Sequence, residues 1–261
     1  MAPRSSRWSP SRRELTQLAL VAPWLAGPVL AAPQQRCVQK TADGEPQFVE
    51  PPGEPSVEQG RRIAELGAAL AAGRTTTDEI LADAAANELR PYPAFRETIA
   101  EHAPTGRAVL TPRAEPGVPL LATVRVIDRD GRPYAGVRVY AYQTSALGWY
   151  AAEAPHVSGN SGDFRFARLF THVVTDGEGR AQLTTVHPAG YPRSDLPSHI
   201  HLLLAGRGGD ERVTEIRFED CPRMTPAARA ESLRAGFEVV PVETVADGSL
   251  RCAAEFRLLA S

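Results

Sequence analysis

The sequence predicts a mainly β protein, an antiparallel β-sandwich carrying an N-terminal helical appendage. Three observations predict it. From Leu120 onward the chain breaks into seven or eight short apolar runs with full or partial alternation, the period of a strand with a buried face. Turn chemistry separates these runs, most clearly at Asp130-Gly131 and at Thr175-Asp176-Gly177-Glu178-Gly179, and closely spaced short strands of this kind build sandwiches. Upstream, between Val57 and Leu89, apolar residues instead recur at helical spacing. A chain of 261 residues, 43% hydrophobic and 23% charged, can bury one sizeable core, or one core with a smaller appendage.

In chain order, residues 1–31 read as an export signal rather than as structure. Arg4, Arg7, Arg12 and Arg13 make a basic start, the stretch from Leu15 to Ala32 carries no charge, and Val29-Leu30-Ala31 suits cleavage after Ala31. Ser11-Arg12-Arg13-Glu14-Leu15 resembles the twin-arginine pattern used to export folded proteins. The expected location is therefore periplasmic or extracellular. Cys37 follows Gln-Gln-Arg, which is no lipoprotein cleavage box, so no membrane anchor is expected. Residues 32–56, rich in Pro, Gly, Gln and Glu, read as an extended linker.

Residues 57–103 form the predicted helical appendage. Ile63, Leu66 and Leu70 place one helix over 57–72, and Ile80, Leu81, Ala84, Ala85 and Leu89 place a second over 78–89. Gly73 reads as a C-terminal cap, Thr77 or Asp78 as an N-cap and Pro91 as a stop, with a short third helix near Ala94 to His102. The appendage is expected to pack on the main domain and is the candidate element for a homodimer. Residues 104–261 make the sandwich. It opens on a Pro/Gly-rich crossing to residue 118, followed by strands at 120–127, 137–142, 180–186, 199–204, 212–218, 237–242 and 252–258.

Composition closes off several function classes. The net charge is −2 with no basic face, which argues against nucleic acid, and Lys40 is the only lysine. The chain lacks C-x-x-C, G-x-S-x-G and glycine-rich phosphate loops. Cys37, Cys221 and Cys252 leave one disulfide and one thiol as the arithmetic of an oxidising compartment, with the pairing open.

The chemistry concentrates in Tyr191 to His201, Y-P-R-S-D-L-P-S-H-I-H. On a strand, His199 and His201 project from one face, and two imidazoles on one face make half of a metal site. Tyr191, on a proline-broken loop upstream, can fold back as a further ligand.

Four motifs in order then resemble the intradiol ring-cleavage dioxygenase family. The pattern W-Q-x-x-x-x-G-x-Y is matched by Tyr142, Gln143, Gly148 and Tyr150, and T-D-x-x-G-x-Y-x-F-x-T loosely by Thr175, Asp176, Gly179 and Thr185. T-[IV]-x-P-x-x-Y-P is matched by Thr185, Val186, Pro188, Tyr191 and Pro192, and H-I-H by His199 to His201. Thr214 and Phe218 fit the following strand, so the resemblance spans roughly 118–222. It implies Tyr150, Tyr191, His199 and His201 as ligands of one Fe(III), a set whose two phenolates favour ferric iron. It also implies a small aromatic diol and O2 as substrates, ring opening between the two hydroxyls to a muconate-type product, and Tyr191 as the ligand that leaves the metal and takes up the substrate's proton.

Two positions depart from the family pattern. The arginine usual three residues before the first histidine is Leu196 here, and the glutamine usual in the following strand is Glu215. Arg193 is the candidate to stand in for the missing arginine, and Gln143, Leu196 and Glu215 are candidates to line the substrate pocket. His187, in the loop before Tyr191, reads as a solvated loop histidine, the alternative being a hydrogen-bond donor behind the ligands. Two other classes remain: a secreted β-sandwich binding module with a retained but catalytically weak iron site, and a transthyretin-like structural sandwich, whose V-R-V-x-D-x-x-G-x-P-x-x-G-V-x-V strands resemble Val124 to Val139.

Overall fold

A computed structural model of the chain describes residues 54–150, 167–191 and 194–259, together with the backbone of three short strands. The export signal, Arg193 and the side chain of Cys37 lie outside the described residues.

Helix α1 (Val57–Ala71) opens on a capping box between Ser56 and Gln59, which satisfies backbone donors that the first turn leaves free. Gly73 follows it at φ 66, the left-handed conformation that ends helices without a Cβ penalty. Helix α2 (Thr77–Ala82) is capped one residue earlier than expected, by Thr76 with Glu79. It also stops early, correcting the span 78–89. Asp83 takes an extended backbone (φ −90, ψ 124) and its carboxylate accepts from Ala85 N at 2.9 Å, starting a separate 3-10 turn at Ala84–Ala86. Aspartate competes for backbone donors in this way, so helical spacing continued past a real break. Helix α3 (Pro93–Glu101) has its proline at the N-terminus, where no amide donor is needed.

The strands are β1 (Cys37–Lys40), β2 (Pro46–Val49), β3 (Arg107–Val109), β4 (Pro119–Ile127), β5 (Arg138–Gln143), β6 (Val157–Ser158) and β7 (Leu169–Val174). They continue as β8 (Arg180–Val186), β9 (His199–Ala205), β10 (Glu211–Phe218), β11 (Glu238–Val240), β12 (Glu243–Thr244) and β13 (Leu250–Arg257), with helix α4 (Pro226–Arg234) between β10 and β11. Two five-stranded sheets, β11-β10-β9-β5-β7 and β12-β13-β4-β8-β3, face each other, and β2-β1-β6 form a small third sheet. Between the large sheets Val124, Val126, Val139, Leu183, Leu202, Leu204, Phe218 and Phe256 are buried, the inward positions of alternating strands.

The sandwich is mixed, not purely antiparallel. β10 with β11, β13 with β4 and β3 with β8 pair in parallel. Parallel neighbours need a crossover, and α4 supplies one. The other two pairs join strands far apart in sequence, which no local turn signal records. β7 is not among the expected strands: Leu169, Phe170 and Thr171 are buried in succession, so the run lacks the clear alternation of a strand with one buried face.

The helices do not stand apart from the sandwich. Ile63, Leu70, Ile80, Leu81, Leu89, Phe95 and Ile99 share a second core with Tyr142, Tyr150, Ala167 and Phe170 on the outer face of the first sheet. Arg90 is fully buried and donates to the carbonyls of Leu110, Arg168 and Leu81. Arg96 donates to the Tyr140 hydroxyl at 3.0 Å and lies 3.9 Å over the Phe170 ring. Cys221 and Cys252 are buried free thiols, not bonded to each other. Among the described residues no helix is long and apolar enough to cross a membrane.

Candidate metal centre

β9 presents His199 and His201 on its outer face, both 5% exposed. The His199 Nδ1 lies 2.7 Å from the Pro197 carbonyl, which can only accept, so Nδ1 carries the proton and Nε2 is bare. The His201 Nδ1 lies 3.4 Å from Glu215 Oε1 without a hydrogen bond between them, and the nearby carboxylate favours the tautomer with the proton on Nδ1. Tyr142, opposite His201 across β5 and β9, stacks on its ring at 4.4 Å and 13°. The imidazole is thus held on one face by the stacked ring.

The tyrosines arrive on loops. After β5 the chain turns tightly, with Gly148 at φ 85 and the amides of Ser145 and Gly148 donating within the turn, and delivers the buried Tyr150. The loop after β8 delivers Tyr191 and is pinned at several points. Gln143 Nε2 donates to Val186 O at 2.8 Å, Thr144 Oγ1 to Ala189 O at 2.7 Å and Arg223 Nη1 to Tyr191 O at 2.7 Å.

The four donor atoms converge. Tyr150 OH is 2.5 Å from Tyr191 OH and 2.8 Å from His201 Nε2. Tyr191 OH is 3.0 Å from His199 Nε2 and 3.2 Å from His201 Nε2, and the two Nε2 atoms are 3.0 Å apart. With both Nδ1 atoms protonated, that last contact sets lone pair against lone pair. A cation among the four atoms turns the repulsion into shared coordination, and this donor set therefore fits a metal ion. Burial, then the neighbouring Tyr191, pushes the Tyr150 hydroxyl well above its ordinary pKa, and burial also raises that of Tyr191. Both stay phenols unless a cation favours the phenolate. Burial, then His199, lowers the His201 pKa to about 3, which keeps a neutral ligand nitrogen.

Glu215 also clusters with the two histidines, their ligand atoms lying within 4.8 Å of one another. It reaches His201 from the Nδ1 side, however, and its other oxygen accepts from Arg217 Nε at 2.7 Å, so it lies behind the ligand set. Gln143 is fully buried as the brace under the Tyr191 loop, and Leu196 is 44% exposed on the following loop. His187 is part-buried on its loop, packing on the Phe218 ring at 4.5 Å and lying 3.3 Å from Asp220.

Sequence reading missed Arg217, Arg223 and the stacking role of Tyr142. The signal for Arg217 was incomplete, since E-x-R can be read on its strand but not the fact that it lies opposite H-x-H. Arg223 had none, because it reaches Tyr191 from a turn 32 residues away.

Residues 90–257 match the family model described as Dioxygenase. The chain is 25% identical over 135 residues to the catechol 1,2-dioxygenase of Candida albicans, covering 46% of this chain and 43% of that protein. It is 29% identical over 143 residues to the hydroxyquinol 1,2-dioxygenase of a Rhizobium species, covering 48% and 46%. It is also 29% identical over 142 residues to the protocatechuate 3,4-dioxygenase beta chain of Burkholderia cepacia, covering 49% and 59%. The chain spans about half the length of the curated relatives it matches.

Proposed function

The chain belongs to the intradiol ring-cleavage dioxygenase family, and on that premise we propose that it holds one Fe(III) on Tyr150, Tyr191, His199 and His201 and uses O2 to open a small catechol-type ring between its hydroxyls. The observation that carries this reading is the convergence of two phenol oxygens and two imidazole Nε2 atoms at 2.5–3.2 Å. Fe(III), when bound, would supply a Lewis acid for the diol and, by drawing electron density from it, would give the ring the radical character that lets O2 react with it.

The residues divide the remaining work. Tyr150 is 3% exposed and locked between Tyr191 and His201, so it serves as a permanent ligand. Tyr191 is only partly buried, and its backbone is anchored by Arg223 while its ring faces the centre. It is the tyrosine able to give way to an incoming diol and to take up a diol proton on its oxygen. His199 holds position through its Nδ1 contact with the Pro197 carbonyl, and His201 through the stack of Tyr142 on its ring. Gln143 and Thr144 keep the Tyr191 loop against β5. The twin-arginine-like start extends the proposal to an exported enzyme meeting aromatic diols outside the cytoplasm.

Iron analysis with the visible spectrum of the purified protein, then oxygen uptake on a panel of catechols, tests this. One iron per chain, a red-brown tyrosinate-to-iron band and diol-dependent O2 consumption are expected. A colourless protein that takes up no iron would sink the reading. Iron and colour without turnover on any catechol would leave the binding-module alternative in its place.

A further inference from the structure

The metal-facing side of β9 has a second layer behind it. On β10, Glu215 and Arg217 share one face and sit directly opposite His201 and His199 in the strand register. Glu215 lies 3.4 Å from His201 Nδ1 through one oxygen and accepts from Arg217 Nε at 2.7 Å through the other. Arg217 Nη1 donates to Ser232 Oγ of α4 at 2.9 Å, Ser232 Oγ donates to Ala228 O at 2.6 Å, and the guanidinium carbon lies 4.4 Å from the Phe237 ring centre. Glu215 is 4% exposed, Arg217 7% and Ser232 0%.

Stability does not account for this arrangement. Desolvating a carboxylate and a guanidinium costs several kcal/mol per ion, and an apolar pair of similar volume commonly does as well or better. The hydrogen bonds run from α4 through Arg217 to Glu215. The other Glu215 oxygen stands 3.4 Å from His201 Nδ1, a buried nitrogen with no hydrogen-bond partner of its own, on the ring that presents its Nε2 to the centre.

We propose that the Glu215–Arg217 couple tunes the iron. A full carboxylate behind His201 makes that imidazole a stronger donor than a neutral amide would, and Arg217 holds the carboxylate's charge and distance constant. Both are positioning residues, acting through His201. The inference rests on the Fe(III) reading above and adds that this chain's centre is biased toward the ferric state by its own E-x-R strand.

Glu215→Gln tests it, since the amide keeps the shape and an acceptor while losing the charge. The readouts are the tyrosinate-to-iron band, the ferric/ferrous reduction potential and iron affinity by chelator competition. Relative to the native protein, the band is expected at longer wavelength, the potential higher and iron affinity about 10- to 100-fold weaker. Should Arg217 left without its counter-charge prevent folding, the double variant Glu215→Gln/Arg217→Met, neutral throughout, carries the same expectation. Band, potential and affinity unchanged in the folded variant would overturn the proposal. Failure of the ferric reading is distinguishable, because the native protein would then show neither iron nor band.

Discussion

Tyr150 makes two of the shortest contacts at the centre, to Tyr191 and to His201, yet its isolated sequence context is an ordinary loop aromatic. Tyr150→Phe removes one of the proposed ligand oxygens and leaves the ring's packing against Tyr142. The iron-to-protein ratio is expected to fall and any remaining charge-transfer band to weaken and shift, with the fold intact by circular dichroism. His201 carries a pH dependence of the metal-free protein. Its folded pKa is about 3 against an ordinary 6.5, with burial the main cause and His199 the second. Between those values the unfolded state binds more protons than the folded state, so stability falls as pH falls, by about 1.4 kcal/mol per pH unit from this group. Urea unfolding of metal-free protein at successive pH values below 6.5 measures the slope, and His201→Asn is expected to reduce it, leaving the like contribution of His172, whose pKa burial also lowers to about 3. The two histidines were legible from their one-residue spacing. The role of Glu215 was not, because a strand sequence does not say which residue of the next strand lies opposite.

The helices at 57–101 show how far periodicity carries an element. It located α1 within a residue and announced α3, but it ran through Asp83, where a side-chain acceptor ends α2. It also left open how closely the helices join the sheets. Arg90 settles that as a single buried guanidinium serving three carbonyls, at Leu81 in α2, at Leu110 after β3 and at Arg168 before β7. Arg90→Met leaves those acceptors buried and unsatisfied and is expected to cost about 3 kcal/mol or more. Arg90→Lys is expected to recover little, since one ammonium cannot reproduce the fork. Denaturant midpoints of the two variants check both statements. Arg168 adds a part-buried pair with Glu115, both of its bonds at 2.5 Å, so the segment before β7 is fastened from two directions.

At the scale of the whole molecule, the helical layer and the centre share one core. Tyr142 and Tyr150 pack in the same buried cluster as Leu81, Phe95 and Ile99. Removing residues 57–103 is therefore expected to abolish the tyrosinate-to-iron band as well as to reduce solubility, measured on the refolded fragment with added ferric iron. If the export reading holds, Arg12→Lys with Arg13→Lys retains the protein in the cytoplasm, as cell fractionation in a host with twin-arginine transport would show. The sequence by itself determined the β class, the order of most strands and the four candidate ligands. Each of these follows from local period, turn chemistry or short motif spacing, which neighbouring residues encode. Only the tertiary structure decided the parallel pairings, the strand β7, the docking of the helices and the line from α4 through Arg217 and Glu215 to His201. Those depend on which distant segments become neighbours once both sheets and the helical layer close over their cores, and no local pattern carries that information.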